Sequence, residues 1–197
     1  MKRKAAWVRG PVWMVLFCLA AVVYAQFSEE AETGHRTLPS GADIAYRVRL
    51  LPLASFPNLP LPVLQQLTIR HCLIPQTYEA RGPENVIHGE FRGKGSDDWA
   101  ALCSQNGTTT LYVFFGDQPE SPVALRTQPD SEWLGAEYKG AAYGSAWGIA
   151  VRHQDSFRSG QQGGPFDHDG IEDAQLERSS TIHYYQTGKW LTVNGGD

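Results

Sequence analysis

The sequence predicts a small α+β domain, a mainly antiparallel sheet of hairpins with one or two short helices, folded as a single domain over residues 50–197. Three observations predict it. Asn106-Gly107 separates a strand running from Asp98 through Leu102 from the run Thr108–Phe115, and both turn residues tolerate the positive φ of a type I′ hairpin. Thr187-Gly188-Lys189 separates Ser180–Gln186 from Trp190–Val193 in the same way. Between Leu61 and Cys72, Leu64, Leu67 and Ile69 recur at near-helical intervals behind Pro62, a residue suited to a first helical turn.

From the start of the chain, Lys2, Arg3, Lys4 and Arg9 precede an apolar run, Pro11–Ala25, that ends in Val23-Tyr24-Ala25. A basic start, a short apolar core and small residues before Gln26 predict a signal peptide over residues 1–25. A membrane-spanning helix needs about 20 apolar residues, and this run is shorter. Cleavage takes four of the 17 basic residues and none of the 21 acidic ones, leaving 13 against 21, a net charge of −8. An acidic chain without a basic cluster is a poor partner for nucleic acid or an anionic membrane. The expected location is periplasmic or secreted, with no membrane association after cleavage. Cleavage also removes Cys18 and leaves Cys72 and Cys103, which an oxidising compartment would join in a disulfide. Closing that loop contributes about 3 kcal/mol in the chain-entropy model. The alternative is two buried free thiols.

Residues 26–49 read as a flexible acidic segment, because the stretch from Phe27 to about Arg36 is polar with little apolar content. Pro52, Pro57, Pro60 and Pro62 then exclude helix and central strand, giving an extended lead-in that packs through Leu51, Phe56 and Leu59. The helix that follows ends before Pro75, with its apolar side toward the sheet and Cys72 at its end. Beyond the first hairpin, Val123–Thr127 and Gly148–His153 read as strands, the latter with Ile149 and Val151 facing one way. Trp133, Tyr138, Tyr143 and Trp147, interleaved with Gly135, Gly140, Gly144 and Gly148, admit two readings: a sheet core, or rings that stack on sugars. Ser159–Gly164 is a loop by composition.

Two loops carry the motif around which the chain is organised. The first is Gly89-Glu90-Phe91-Arg92-Gly93-Lys94-Gly95-Ser96-Asp97-Asp98, running into the first hairpin. The second is Gly164-Pro165-Phe166-Asp167-His168-Asp169-Gly170-Ile171-Glu172-Asp173. Aligned, Gly164 falls on Gly89, Phe166 on Phe91, Gly170 on Gly95 and Asp173 on Asp98. The loops resemble degenerate FG-GAP motifs of integrin-α-type propellers, in which oxygen ligands at positions one, three, five and nine hold calcium. Pro83-Glu84-Asn85-Val86-Ile87-His88, ahead of the first loop, resembles a group of uncharacterised exported bacterial proteins, a likeness that implies no activity. The resemblance divides residues 50–197 into two loop-hairpin units. In the first loop Arg92 and Lys94 stand where calcium ligands belong, so it implies a metal-free loop in which one of these cations pairs with Glu90 and Asp98. In the second, Asp167, Asp169 and Asp173 fall at positions three, five and nine, a weak candidate calcium site. The competing reading has these aspartates fixing their own turn or pairing with Arg92 and Lys94.

No pair among the six histidines has the spacing of a zinc signature, and Ser145 lies one residue out of register for a nucleophile elbow. Cys103 with His88, or Glu90 with Asp98, offers only generic hydrolytic chemistry. The expectation is an exported, non-enzymatic binding domain without a cofactor, its partner an envelope or extracellular protein or glycan. The alternative is an exported hydrolase acting on an envelope or extracellular substrate.

Overall fold

The computed structural model describes residues 29–138, 142–157 and 164–195. Residues 1–25, expected to be a signal peptide, the Tyr138 side chain, Gly140 and residues 159–163 of the glycine-rich loop lie outside the described residues. In chain order the strands are β1 (Glu30–Thr37), β2 (Asp43–Leu51), β3 (Ile74–Gln76), β4 (Val86–Gly89), β5 (Asp98–Gln105), β6 (Thr108–Phe114) and β7 (Val123–Pro129). They continue as β8 (Leu134–Tyr138), β9 (Ala142–Ser145), β10 (Trp147–Arg152), β11 (Gly170–Gln175), β12 (Ser179–Gln186) and β13 (Lys189–Asn194). The single α-helix of the described residues, α1, spans Leu61–Ile69.

Strands dominate, and they form three sheets rather than one. Two are four-stranded antiparallel meanders, β4-β5-β6-β7 and β10-β11-β12-β13. The third runs β1-β2-β9-β8, with β3 also pairing β2, and contains the parallel contact Tyr46–Tyr143. The hairpin turns fall where expected: Asn106 and Gly107 have φ of 51° and 75°, and Thr187 and Gly188 have 49° and 82°.

The segment expected to be flexible is a strand. Residues 30–37 pair in continuous antiparallel register with 43–50, from Glu30–Leu50 to Thr37–Asp43. Low apolar content reads as disorder only when no ladder is available, and β1 is an edge strand stabilised by β2 and by charge. Arg49 binds Glu29 at 3.1 Å, Arg36 binds Glu132 at 3.0 Å, and His35 meets Asp43 at 2.9 Å. Gly34 is required here, since a Cβ would lie 2.7 Å from the Tyr46 hydroxyl.

The β4–β7 sheet is buried on both faces. Ala100, Leu102, Leu111, Val113 and Phe115 face Trp147, Ile149 and Ile171 of the β10–β13 sheet. Ala101, Cys103 and Phe114 face Leu59, Val63 and Leu67 around α1. Period-two alternation therefore has apolar residues at both phases, which is why these strands read as continuous apolar runs. On α1 the buried positions are Val63 and Leu67, one turn apart, while Ile69 is 69% exposed. The expected apolar stripe is rotated, because the disulfide sets the helix's direction. His71 adopts φ 52° and the Cys72 N–H returns to the Leu67 carbonyl at 3.0 Å, turning Cys72 inward. Cys72 and Cys103 are joined, with Cα atoms 4.9 Å apart.

Asn85 joins the three sheets. It is 2% exposed, at φ 68°. Its carboxamide N–H groups donate to the carbonyls of Pro75 (2.7 Å) and Trp147 (3.2 Å), and its side-chain oxygen accepts the Ile149 N–H (3.0 Å). Its own carbonyl accepts the Leu102 N–H at 3.0 Å. One residue thus satisfies backbone groups of β3, β5 and β10 where no ladder continues.

Candidate functional site

Each motif loop connects the first and second strands of a meander, and both open at the same end. In the first, Asp98 closes the turn: its carboxylate accepts the N–H of Arg92 (2.7 Å), the Ser96 hydroxyl and the N–H of Gly116 (2.9 Å). Gly116 has to be glycine, since a Cβ would sit 2.3 Å from the Asp97 carbonyl oxygen. The side chain of Arg92 does not pair with Glu90 or Asp98 as expected. It turns outward to Asp117 and lies over the Phe115 ring, 5.0 Å from its centroid, because its N–H already serves Asp98. Lys94 is exposed.

The second loop does not superpose on the first residue for residue. Asp98 is the first residue of β5, whereas Asp173 is the fourth of β11, and the strand position equivalent to Asp98 is held by Gly170. The closing role passes to Tyr184 on β12, whose hydroxyl accepts the Asp167 N–H at 2.9 Å and donates to the Asp167 carboxylate at 3.0 Å. His168, buried against the Tyr184 ring, places Nδ1 2.7 Å from the same carboxylate. These bonds from His168 and Tyr184 hold the Asp167 carboxyl below its ordinary range.

The three aspartates proposed as calcium ligands are held in three separate places. Asp167 sits exposed beside Tyr184. Asp169 faces the first loop: its Oδ2 accepts the Glu90 N–H at 3.1 Å, its N–H donates to the Glu90 carbonyl at 3.2 Å, and its Oδ1 lies 3.1 Å from His153 Nδ1. Asp173 is inside the core, bonded to Arg126 Nε (2.6 Å), Trp147 Nε1 (2.7 Å) and His183 Nε2 (2.9 Å). Burial pushes the Asp173 carboxyl up, but the bonds from His183 and Arg126 outweigh it and the net shift is downward. Among the described residues no three His, Cys, Asp or Glu side chains form a group that would hold a metal. Of the aromatics, Trp147 is core, with Trp133 packed edge-on to it at 5.4 Å and Arg126 over the Trp133 face.

What the two loops do enclose is an open cleft of about 550 Å³, lined by His88, Glu90, Asp97, His153, Asp155 and Asp169 together with Gly89, Ser96 and Gln154. No family model, no curated protein and no solved structure matches the chain. The cleft's chemistry is therefore read from its own residues. Four carboxylates and two histidines face it, and among the described residues no lysine or arginine lines it. Of the nearby arginines among the described residues, Arg92 pairs with Asp117 and Arg152 with Glu172 at 2.9 Å. His88 Nε2 lies 2.5 Å from Asp97, and its ring packs on Trp99 at 4.9 Å. Sequence reasoning brought Glu90 and Asp169 forward as loop ligands but missed His153 and Asp155, which lie in a connecting segment with no motif. Their signal is topological: each immediately follows a first strand of a meander, opposite the other loop.

Proposed function

We propose that the chain is an exported, non-enzymatic binding module that receives a cationic group in the cleft between its two loops. One observation carries the reading: four carboxylates converge on a cavity in which no lysine or arginine stands among the described lining residues. Carboxylates gathered beside histidines alone, with no lysine or arginine among the described lining residues, favour a positively charged occupant, at close range and at low ionic strength most of all. The buried Cys72–Cys103 disulfide and the basic, then apolar, N-terminus support export. Among the described residues no helix is long and apolar enough to cross a membrane. The chemistry shared by the expected partners is a protonated amine, carried by the lysines of an envelope protein or by an amino sugar of a glycan.

Calorimetry with a lysine-rich peptide and with a chitosan oligomer separates these sources, with a glutamate-rich peptide and a fully N-acetylated oligomer as controls. Binding of one cationic probe, weakened about two- to fivefold by Glu90→Gln as expected for one partly exposed charge pair, supports the reading. Absence of binding by both cationic probes, or binding unchanged in a Glu90→Gln, Asp155→Asn variant, overturns it. The exported-hydrolase alternative draws on the His153–Asp169 contact, the geometry of a histidine oriented by a carboxylate. Turnover of either probe, abolished by His153→Gln, would favour it.

A further inference from the structure

Away from the cleft, the tip of the β5–β6 hairpin carries a reactive pair that the binding reading leaves unused. The chain has two Asn-Gly dipeptides, Asn106-Gly107 and Asn194-Gly195. An Asn-Gly bond is chemically labile because glycine offers an unhindered amide nitrogen to the preceding carboxamide. Whether it reacts depends on how firmly the fold holds both groups.

The two sites differ in that respect. Asn194 lies in β13, paired with Thr181, and its following residue is fastened on both sides: the Gly195 N–H donates to the Ser180 carbonyl at 3.0 Å, and the Gly195 carbonyl accepts from Arg152 at 3.3 Å. At the hairpin tip Asn106 is exposed, at φ 51°, and its carboxamide has no hydrogen-bond partner among the described residues. The Gly107 carbonyl accepts the Asp130 N–H at 2.9 Å, but the Gly107 N–H has no backbone acceptor among the described residues. Nucleophile and electrophile are adjacent, on an exposed Asn106 and a half-buried Gly107, and neither is committed to a hydrogen bond among the described residues.

We infer that Asn106 is a site of spontaneous deamidation and isoaspartate formation, and that Asn194 is protected from the same reaction. The Gly107 nitrogen attacks the Asn106 side-chain carbonyl carbon. The new C–N bond closes a succinimide, the nitrogen's proton passes to solvent, and ammonia leaves. Water then opens the ring at either carbonyl, giving aspartate or, with the main chain rerouted through the side chain, isoaspartate. Either product adds one carboxylate to the rim of a pocket of about 410 Å³ that already holds Glu30 and Glu32. Asn106 lines that pocket together with Glu30 and Glu32, so the new charge joins like charge. Isoaspartate also adds a backbone methylene to a two-residue loop whose register depends on its length. The product is an altered β5–β6 tip on the strand that carries Cys103.

The test is peptide mapping by mass spectrometry of the whole oxidised protein after ageing in mildly alkaline buffer, with isoaspartyl methyltransferase labelling as a second readout. Conversion at Asn106 is expected to run about fivefold ahead of Asn194, the factor one backbone hydrogen bond confers. In urea, with the disulfide intact, the two sites are expected to converge. Equal conversion in the folded protein, conversion of Asn194 first, no conversion at Asn106, or a ratio that survives unfolding overturns the inference.

Discussion

Replacing Asn85 by alanine removes a residue that satisfies backbone groups belonging to three sheets. The side chain makes three hydrogen bonds, to the Pro75 and Trp147 carbonyls and from the Ile149 N–H, at a position 2% exposed. At about 1 kcal/mol net for each bond, the loss is about 3 kcal/mol. Alanine adds a second penalty, because φ 68° is left-handed, a region asparagine tolerates through its side-chain hydrogen bonds but which costs an ordinary residue about 1–2 kcal/mol. The expected destabilisation is about 4–5 kcal/mol, in the range reserved for broken buried networks. That corresponds to a fall in Tm of roughly 10–15 °C for a domain of this size. Asn85→Gly separates the two contributions, since glycine accepts the backbone angle but forms none of the bonds; it should lose about 3 kcal/mol. Urea unfolding of the oxidised wild type and both variants gives the values. A loss below about 1 kcal/mol in the alanine variant would refute the junction role, and a glycine variant no better than alanine would refute the backbone part.

Other outcomes can be checked with the same preparations. Thiol titration of the unreduced, unfolded protein lacking residues 1–25 should find no free sulfhydryl, and Cys72→Ala with Cys103→Ala should lower stability by about 3 kcal/mol. Asp173 has a folded pKa below its unfolded value of about 3.9, so the unfolded state binds the extra proton between the two, and its contribution is present above that value and lost as pH falls through the folded one. Asp173→Asn should therefore flatten the acid limb of the Tm–pH curve; an unchanged limb would show that the Arg126–Asp173–His183 contacts are not linked to stability. The same variant should cost about 3–5 kcal/mol at neutral pH, because Arg126 and His183 lose their carboxylate. Millimolar calcium should leave Tm unchanged, since Asp167, Asp169 and Asp173 are held apart; a rise abolished by Asp169→Ala would restore the calcium site.

The hairpins were legible because their turns are written in local chemistry: Asn106-Gly107 and Thr187-Gly188 demand positive φ and sit between apolar runs. The disulfide was legible from cysteine count alone once Cys18 was set aside. The division into three sheets was not, because the residue that joins them, Asn85, is an ordinary polar residue whose three side-chain partners lie as far as 64 positions along the chain. The strand β1 was missed because its stabilisation comes from a ladder and from Arg36, Arg49 and His35 rather than from apolar burial. At the site, Glu90 and Asp169 stood inside a recognisable loop pattern. The alignment that placed Asp173 opposite Asp98 counted residues correctly but assumed that both loops close by the same side chain. Tyr184, eleven residues past the aligned motif, closes the second, and Asp173 was freed to enter the core.

The paired bonds between Glu90 and Asp169 span 79 positions in the chain. During synthesis the cysteine pair is available as soon as residue 103 has emerged, and the β4–β7 meander with α1 has its own apolar cluster at that end. The cleft has no floor until the β10–β11 connection arrives. Long-range contacts of this kind are made late, after shorter loops have closed. The order of events is then built into the molecule: the disulfide-bearing half first, the cleft last. A chain interrupted after β9 would carry the disulfide and half the lining, with Glu90 facing open solvent.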